Sequence, residues 1–294
     1  MMLRVFHRTT YSYGDAVALC HSESRLAPRS GRDQTLLEHQ LIVEPVPSSS
    51  VERKDYFGNA VTNFTIDQPH EVLRVTAHSI VETRANDAIH PALTPPWEQV
   101  REVVGHRDNE ETFDAYQFIF ESPRVTPAEE FARYAKPSFA GARPLLQCAI
   151  DLCHRIFADF KYDRDATTVT TPVAEAFHAR QGVCQDFAHV MIACLRSLGL
   201  PARYVSGYLR TDDDNIGASA SHAWLSVYCP GFGWLDIDPT NDVIPGTGHV
   251  TLAWGRDYSD VPPLKGVALG GADQVIAVEV TVAPAEISTD SAQL

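Results

Sequence analysis

The way the hydrophobic period changes along this chain limits its fold more than any single motif does. Up to about residue 83 apolar side chains alternate with polar ones, as in Leu3-Arg4-Val5-Phe6-His7 and, less strictly, Leu37-Glu38-His39-Gln40-Leu41-Ile42-Val43. Val61–Ile66 and Leu73–Val81 continue the pattern with β-branched residues, and the turn signals Pro45-Val46-Pro47-Ser48-Ser49-Ser50 and Asp55-Tyr56-Phe57-Gly58-Asn59 lie between. From 84 to 142 Pro91, Pro95 and Pro96 break the chain, Glu98 to His106 is a short helical stretch, and Pro127 to Ala132 reads as a proline-started turn. Then the period becomes helical: Leu145, Ala149, Leu152, Ile156 and Phe160 recur on one face. A second helix follows, with Thr171 as its cap, Pro172 at its first position and Glu175 in its first turn, and it stops at Gly182. A third carries Phe187, Met191, Cys194, Leu195 and Leu198 and closes at Gly199 and Pro201.

Alternation returns in 202–209, 222–228 and 234–238, with a polar loop at 211–215 and a tight turn at 229–233. A last strand, 275–282, is expected to return to a sheet, and the residues after Pro284 to fray. The order predicts an α+β chain. Residues 1–83 form an N-terminal antiparallel β-sandwich-like domain and 84–142 a partly helical connector. Residues 143–263 form a core of helices packed on an antiparallel sheet, and 264–294 a C-terminal strand and tail packing back on a sheet.

Charge and cysteine usage narrow the partners. The net charge of −14, with no Lys/Arg-rich block, argues against nucleic acid and anionic membrane. The start lacks the apolar core of a signal peptide, and no run is long enough to span a bilayer. Six cysteines without a C-x-x-C spacing fit reduced thiols and a cytoplasmic location. Oligomeric state is not readable.

Within this frame Gly182-Val183-Cys184-Gln185-Asp186-Phe187-Ala188-His189 stands out. Cys184 sits in the first turn of an apolar helix, where the dipole and unpaired N–H groups favour the thiolate. Its structural alternative is a small buried hydrophobe. Asp186 and His189 project roughly 200° and 140° around the helix from Cys184, so capping and buried hydrogen bonding suit them better than acting as its base. His222 begins one strand and Asp238 ends the next. A hairpin over the short turn would set Asp238 opposite His222, completing a nucleophile, a base and an orienting carboxylate. Asp236 has the same parity and rivals Asp238, and both His222 and the Asp-Pro-Thr-Asn turn have ordinary structural readings. A zinc site on Cys184, His222 and Asp238 lacks a fourth ligand. No metal and no cofactor is expected.

The residues carry a resemblance. Gly182–His189, Pro201-Ala202-Arg203-Tyr204-Val205-Ser206-Gly207-Tyr208, His222-Ala223-Trp224 and Gly233-Trp234-Leu235-Asp236-Ile237-Asp238-Pro239-Thr240-Asn241 together resemble the bacterial transglutaminase-like family, within the papain-like group of cysteine enzymes. Asp55–Asn59 and His249–Pro263 extend the likeness over nearly the whole chain. The resemblance implies a Cys184-His222-Asp238 triad. It also leads one to expect an acid shortly after His-Ala-Trp, where this chain has Leu225-Ser226. The calcium sites of animal transglutaminases have no counterpart here.

Such a triad attacks a peptide or isopeptide amide to form a thioester, which water resolves by hydrolysis or an amine by transamidation. The triad is common to both, so the choice stays open. The oxyanion is expected on the Cys184 N–H and a second donor, for which Gln181, Gln185 and Tyr162 are candidates. Trp224 and Trp234 pack or wall the cleft. A peptide or protein is the expected partner. The alternative is a non-catalytic protein-binding module that retains the fold.

Overall fold

The computed structural model of the chain describes residues 1–85, 89–211, 216–217 and 220–285. Residues 212–215 of the expected polar loop and 286–294 of the expected tail lie outside them.

Five strands open the chain: β1 (Met2–Ser24), β2 (Gln34–Glu44), β3 (Ser49–Lys54), β4 (Ala60–Ile66) and β5 (His70–Thr83), in the sheet order β2-β5-β1-β4-β3. The length of β1 organises the sheet. Its first half pairs with β5 from Met2↔Glu82 to Ser12↔Val72, and its second half with β4 from Cys20↔Ile66 to Ser24↔Thr62. A register shift between Ser12 and Val17 separates the halves and re-aims the strand. Phe64 and Ile66 from one half then share a buried cluster with Leu73, Val75 and Ala77 from the other, so the sheet closes on itself in sandwich fashion. Alternation is the cause: Leu3, Val5, His7 and Thr9 of β1 are buried while the residues between them are not.

The connector contains α1 (Trp97–His106), α2 (Glu110–Tyr116) and α3 (Glu129–Ala135). Next come α4 (Leu145–Asp159), the short β6 (Lys161–Tyr162), α5 (Val173–Ala179), β7 (Gln181–Gly182) and α6 (Cys184–Ser197). Pro172, not Thr171, occupies the N-cap of α5. The Thr171 hydroxyl instead accepts the Thr168 N–H at 2.9 Å inside a threonine-rich turn, which draws it away from the helix. The helix ends at Ala179 on a left-handed Arg180 (φ 54°), two residues before Gly182.

After α6 come β8 (Ala202–Leu209), β9 (His222–Cys229), β10 (Gly233–Ile237) and β11 (His249–Gly255), an antiparallel sheet ordered β10-β9-β8-β11. Residues 184–196 of α6 are all buried, because the helix packs on β8 and β9 beneath α3, α4 and α5. Buried Arg196 ties its end in place, donating to the carbonyls of Ala202 (2.9 Å) and Phe120 (3.1 Å) and to Ser122 Oγ (3.0 Å).

The last strands, β12 (Leu264–Gly270) and β13 (Gln274–Pro284), return to the first sheet and pair with the second and first halves of β1. Leu3, Val5, Val280 and Val282 consequently share one core with α4, α6 and β9.

The free edge of β11 is covered by side-chain amides. Asn59 donates to Trp254 O (2.9 Å) and accepts from Trp254 N (3.0 Å). Gln34 does the same at Thr251 (2.9 and 2.8 Å). Each amide offers a donor beside an acceptor, the pattern of an absent neighbouring strand. Asp55 holds the Asn59 turn and pairs with buried Arg25 at 3.1 Å, which accounts for Asp55-Tyr56-Phe57-Gly58-Asn59.

Candidate active site

Gly182 brings the chain to the head of α6 with φ +156°, and a Cβ there would collide with the Asp186 carboxylate. Asp186 needs that space: it accepts the Val183 N–H at 2.8 Å and the Thr167 hydroxyl at 2.6 Å, tying down the helix start. His189, buried, accepts the Tyr258 N–H at 3.2 Å on Nε2 and stacks near Tyr204. Both neighbours of Cys184 are thus occupied elsewhere. Cys184 is the first residue of α6, where helical amides lack an intrahelical acceptor, and is 9 % exposed.

His222 opens β9 with its side chain fully buried, and its Nε2 lies 2.8 Å from Asp238 Oδ2. The contact does not follow the direct cross-strand pairing expected from sequence. The β9–β10 ladder runs Asp236↔Ser226 and Ile237↔Leu225, after which Asp238 leaves it to bridge Val243. Asp238 therefore reaches His222 diagonally past the ladder's end, within the span of neighbouring side chains on one face. Asp236 is engaged elsewhere, accepting from Ser226 Oγ at 2.5 Å and from Trp224 Nε1 at 3.3 Å.

Asp238 is wholly buried, and donors surround it: the Thr240 N–H on Oδ1 (2.9 Å), and on Oδ2 Asn241 Nδ2 (2.9 Å) and His249 Nε2 (3.4 Å) besides His222. Burial pushes its pKa up, but the His222 charge and the hydrogen bonds from His222 and His249 outweigh this and hold it well below the usual carboxylate range. For His222 burial works downward, and the charges of Asp238 and Cys184 override it, raising its pKa to about 10. With Nε2–H donated to Asp238, Nδ1 has no conventional partner, and the group whose proximity raises its basicity on that side is the Cys184 sulfur. Elsewhere burial drives buried thiols up, Cys148 to about 11, Cys229 to about 12 and Cys153 and Cys194 higher still, where they stay protonated and inert.

A glycine leaves the approach to His222 Nδ1 clear. A Cβ on Gly217 (φ +91°) would lie 2.8 Å from His222 Nδ1. Asn241 holds the Ile216–Gly217 segment there, accepting Ile216 N–H at 2.8 Å and donating to Ile216 O at 3.3 Å, while its Nδ2 also serves Asp238. Among the oxyanion candidates Tyr162 feels the Cys184 charge, which, behind burial, raises its pKa. Tyr204 and Tyr258 also feel the Cys184 charge, behind burial. Gln185 Nε2 makes a long 3.4 Å contact to Val169 O, and Gln181 pairs through its backbone with Lys161 in the β6–β7 bridge. Trp224 is fully buried, stacked on the His222 ring at 6.1 Å and perpendicular to His249 at 5.2 Å, and backs the imidazole.

Asn241 and His249 enter the sequence reading only as members of the resembling stretches, with no role given to either, and Gly217 does not enter it. Asn241 offered a further signal, lying three residues after Asp238 in a turn; Gly217 offered none, since only tertiary folding brings it to the site.

Residues 3–82 match the family described as "Bacterial transglutaminase-like N-terminal region", and residues 132–239 match "Transglutaminase-like superfamily". An uncharacterised protein of Mycobacterium tuberculosis is 41 % identical over 299 residues, covering 96 % of this chain and 93 % of its own. A protein-glutamine gamma-glutamyltransferase of Pseudomonas aeruginosa is 33 % identical over 99 residues, 29 % of this chain and 15 % of that protein. A crystal structure from Cytophaga hutchinsonii, provisionally named a cysteine protease, superposes with a TM-score of 0.75 at 21 % identity, covering 98 % of this chain and 92 % of that one, and so shares the fold. Among the described residues no helix is long and apolar enough to cross a membrane.

Proposed function

Because the chain belongs to the bacterial transglutaminase-like family, we propose that it is a cysteine acyl-transfer enzyme in which Cys184 attacks a peptide or isopeptide amide. The observation that carries this reading is His222, buried, bonded through Nε2 to Asp238 and turned through Nδ1 toward Cys184. In that tautomer Nδ1 takes the thiol proton, and the imidazolium is stabilised by the Asp238 charge. The thiolate adds to the carbonyl carbon, and the oxyanion is met by the unpaired Cys184 N–H with Tyr162 as second donor. The tetrahedral species collapses as His222 protonates the departing amine, leaving a thioester on Cys184. Water or a second amine, deprotonated by His222, releases the acyl group as acid or as new amide.

The alternative of a binding module without catalysis predicts a different cysteine. Iodoacetamide labelling near neutral pH separates the two. The enzyme reading expects Cys184 to alkylate well above the rate of a free thiol, losing that advantage in His222→Ala, with no fast labelling in Cys184→Ser. A Cys184 no faster than a free thiol and indifferent to His222 sinks it. A panel of Gln-, Asn- and glutamyl-peptides with and without an amine acceptor then distinguishes transfer from hydrolysis. The cytoplasm is our proposed location, since all six cysteines are free and buried.

A further inference from the structure

A cavity of about 370 Å³ lies between the β8–β11 sheet and residues 29–34, Thr83, Arg84 and Ile89. Arg203, Trp234, Trp254, Arg29, Asp236 and His249 are in its wall, whereas Cys184 and His222 are not. Arg203 is its unusual member. It is 9 % exposed, and its guanidinium carbon stands 4.4 Å from the Trp234 ring centroid and 3.8 Å from that of Trp254. Its Nε donates to Ser226 Oγ at 3.3 Å. Among the described residues Nη1 and Nη2 make no hydrogen bond and no ion pair; the carboxylate whose charge acts on Arg203 is Asp236, which the Ser226 hydroxyl bridges to Nε. A guanidinium this far from bulk water ordinarily has a carboxylate in direct contact.

What remains free on Arg203 defines the missing partner. The Trp234 and Trp254 rings come from β10 and β11, on opposite sides of β8, and flank the guanidinium carbon, while Ser226 occupies Nε. Only the Nη1/Nη2 edge is left, approachable in the guanidinium plane, and two parallel N–H groups there match a planar carboxylate. Arg29 adds a second cation, its guanidinium 3.5 Å from the Trp254 ring centroid and its Nη1 on Asn59 Oδ1 at 2.6 Å and Phe57 O at 3.2 Å, so its charge acts from the neighbourhood of that indole. Asp236, in the same wall, disfavours a dianion such as phosphate over a singly charged acid.

We infer that this cavity binds a carboxylate, held in plane by the two terminal nitrogens of Arg203 between Trp234 and Trp254, with Arg29 as the second positive charge. The volume suits an acid of amino-acid to dipeptide size, which is either a free small acid or the C-terminus of a peptide. The site is separate from the thiol chemistry proposed above, so its test does not depend on that chemistry. His249 joins the two regions, lining the cavity and reaching Asp238 at 3.4 Å.

The full chain carrying Cys184→Ala is titrated with butyrate, Gly-Gly, Gly-Gly-amide and inorganic phosphate, read by calorimetry and by tryptophan fluorescence, since Trp224, Trp234 and Trp254 all line the cavity. Saturable binding of butyrate, or of Gly-Gly but not its amide, is expected; the first assigns a free acid and the second a peptide terminus. Ser226→Glu supplies an internal carboxylate beside Arg203, and Arg203→Lys removes the fork, so each weakens binding by at least about tenfold. If Arg203→Lys does not fold by circular dichroism, Ser226→Glu decides. Three results overturn the inference: no saturable change with either acid up to about 50 mM, phosphate binding tighter than both acids, or wild-type affinity in a folded Ser226→Glu protein.

Discussion

Replacing Asp238 by Asn removes one charge while keeping shape, and the buried donors around it make the consequence calculable. Oδ2 faces His222 Nε2, Asn241 Nδ2 and His249 Nε2, and Oδ1 faces the Thr240 N–H. An amide has one oxygen, so either orientation sets its NH₂ against at least one donor. Turned to keep the His222 bond, it opposes Thr240; turned the other way, it opposes all three side chains. The larger effect is on His222, whose pKa of about 10 depends on the Asp238 charge overcoming burial. Without that charge a buried imidazolium has lost its counter-ion, and the cost of breaking such a pair is about 3 to 5 kcal/mol. The sign with pH follows from the folded pKa being raised: the contribution of His222 is fully present below about 6.5 and is lost as pH rises toward about 10. Wild-type stability should therefore fall across that window by up to about 1 kcal/mol per pH unit, and the Asn variant should lack this slope. Alkylation of Cys184 by iodoacetamide at neutral pH should drop by about 10²- to 10⁴-fold. Urea unfolding from pH 6.5 to 10 and timed alkylation with peptide mass analysis measure both quantities. Unchanged alkylation, together with an unchanged pH slope, would refute the coupling of Asp238 to Cys184 through His222.

Gly217→Ala puts a methyl 2.8 Å from His222 Nδ1 at φ +91°; alkylation should fall about 10²-fold with a stability loss of only about 1–2 kcal/mol, and an Ala variant of full reactivity would show that reaction does not use this approach to Nδ1. Burial lowers the pKa of His7 to about 4 and that of His189 to about 3, so both stay neutral in the fold while the unfolded chain takes up protons below about 6.5. Stability should therefore decline as pH falls from 6.5 toward 4 by up to about 1 kcal/mol per pH unit for each histidine, and a flat urea-midpoint profile over that range would contradict their burial. Met191→Ala, in the fully buried middle of α6, should cost about 2–5 kcal/mol in chemical denaturation; a loss under about 1 kcal/mol would mean that the helix is not packed on both sides.

The α+β architecture was legible because period and composition agree over long stretches. Leu145 to Ile156 could be read as helix, and Leu73 to Val81 as strand, because each buries one face and exposes the other. The reach of β1 across 23 residues was less legible. Its middle, Ser12-Tyr13-Gly14-Asp15-Ala16, reads as a loop, and only the shared pairing with β4, β5, β12 and β13 keeps the strand one element. Strand β3 (Ser49–Lys54) was hidden for a related reason: all six of its residues are exposed, so it carries no buried period to detect.

At the candidate site a parallel distinction holds. Cys184 opens α6 and His222 opens β9, so periodicity gives their directions, whereas Asp238 lies just past the end of β10 and meets His222 off the expected register. His249 and the Ile216–Gly217 segment reach the same atoms from irregular or distant stretches, and no local pattern specifies such a meeting. Arg203 shows the limit most directly. It sits in a strand buried along its whole length, and nothing local reveals that its guanidinium is flanked by Trp234 and Trp254 and makes no ion pair of its own. Position 226, where the resemblance leads one to expect an acid and the chain has serine, is the residue that touches Arg203 Nε. A departure visible in sequence as a missing charge is, in the fold, a cation left for a ligand, and the Ser226→Glu protein asks whether restoring the charge closes the site.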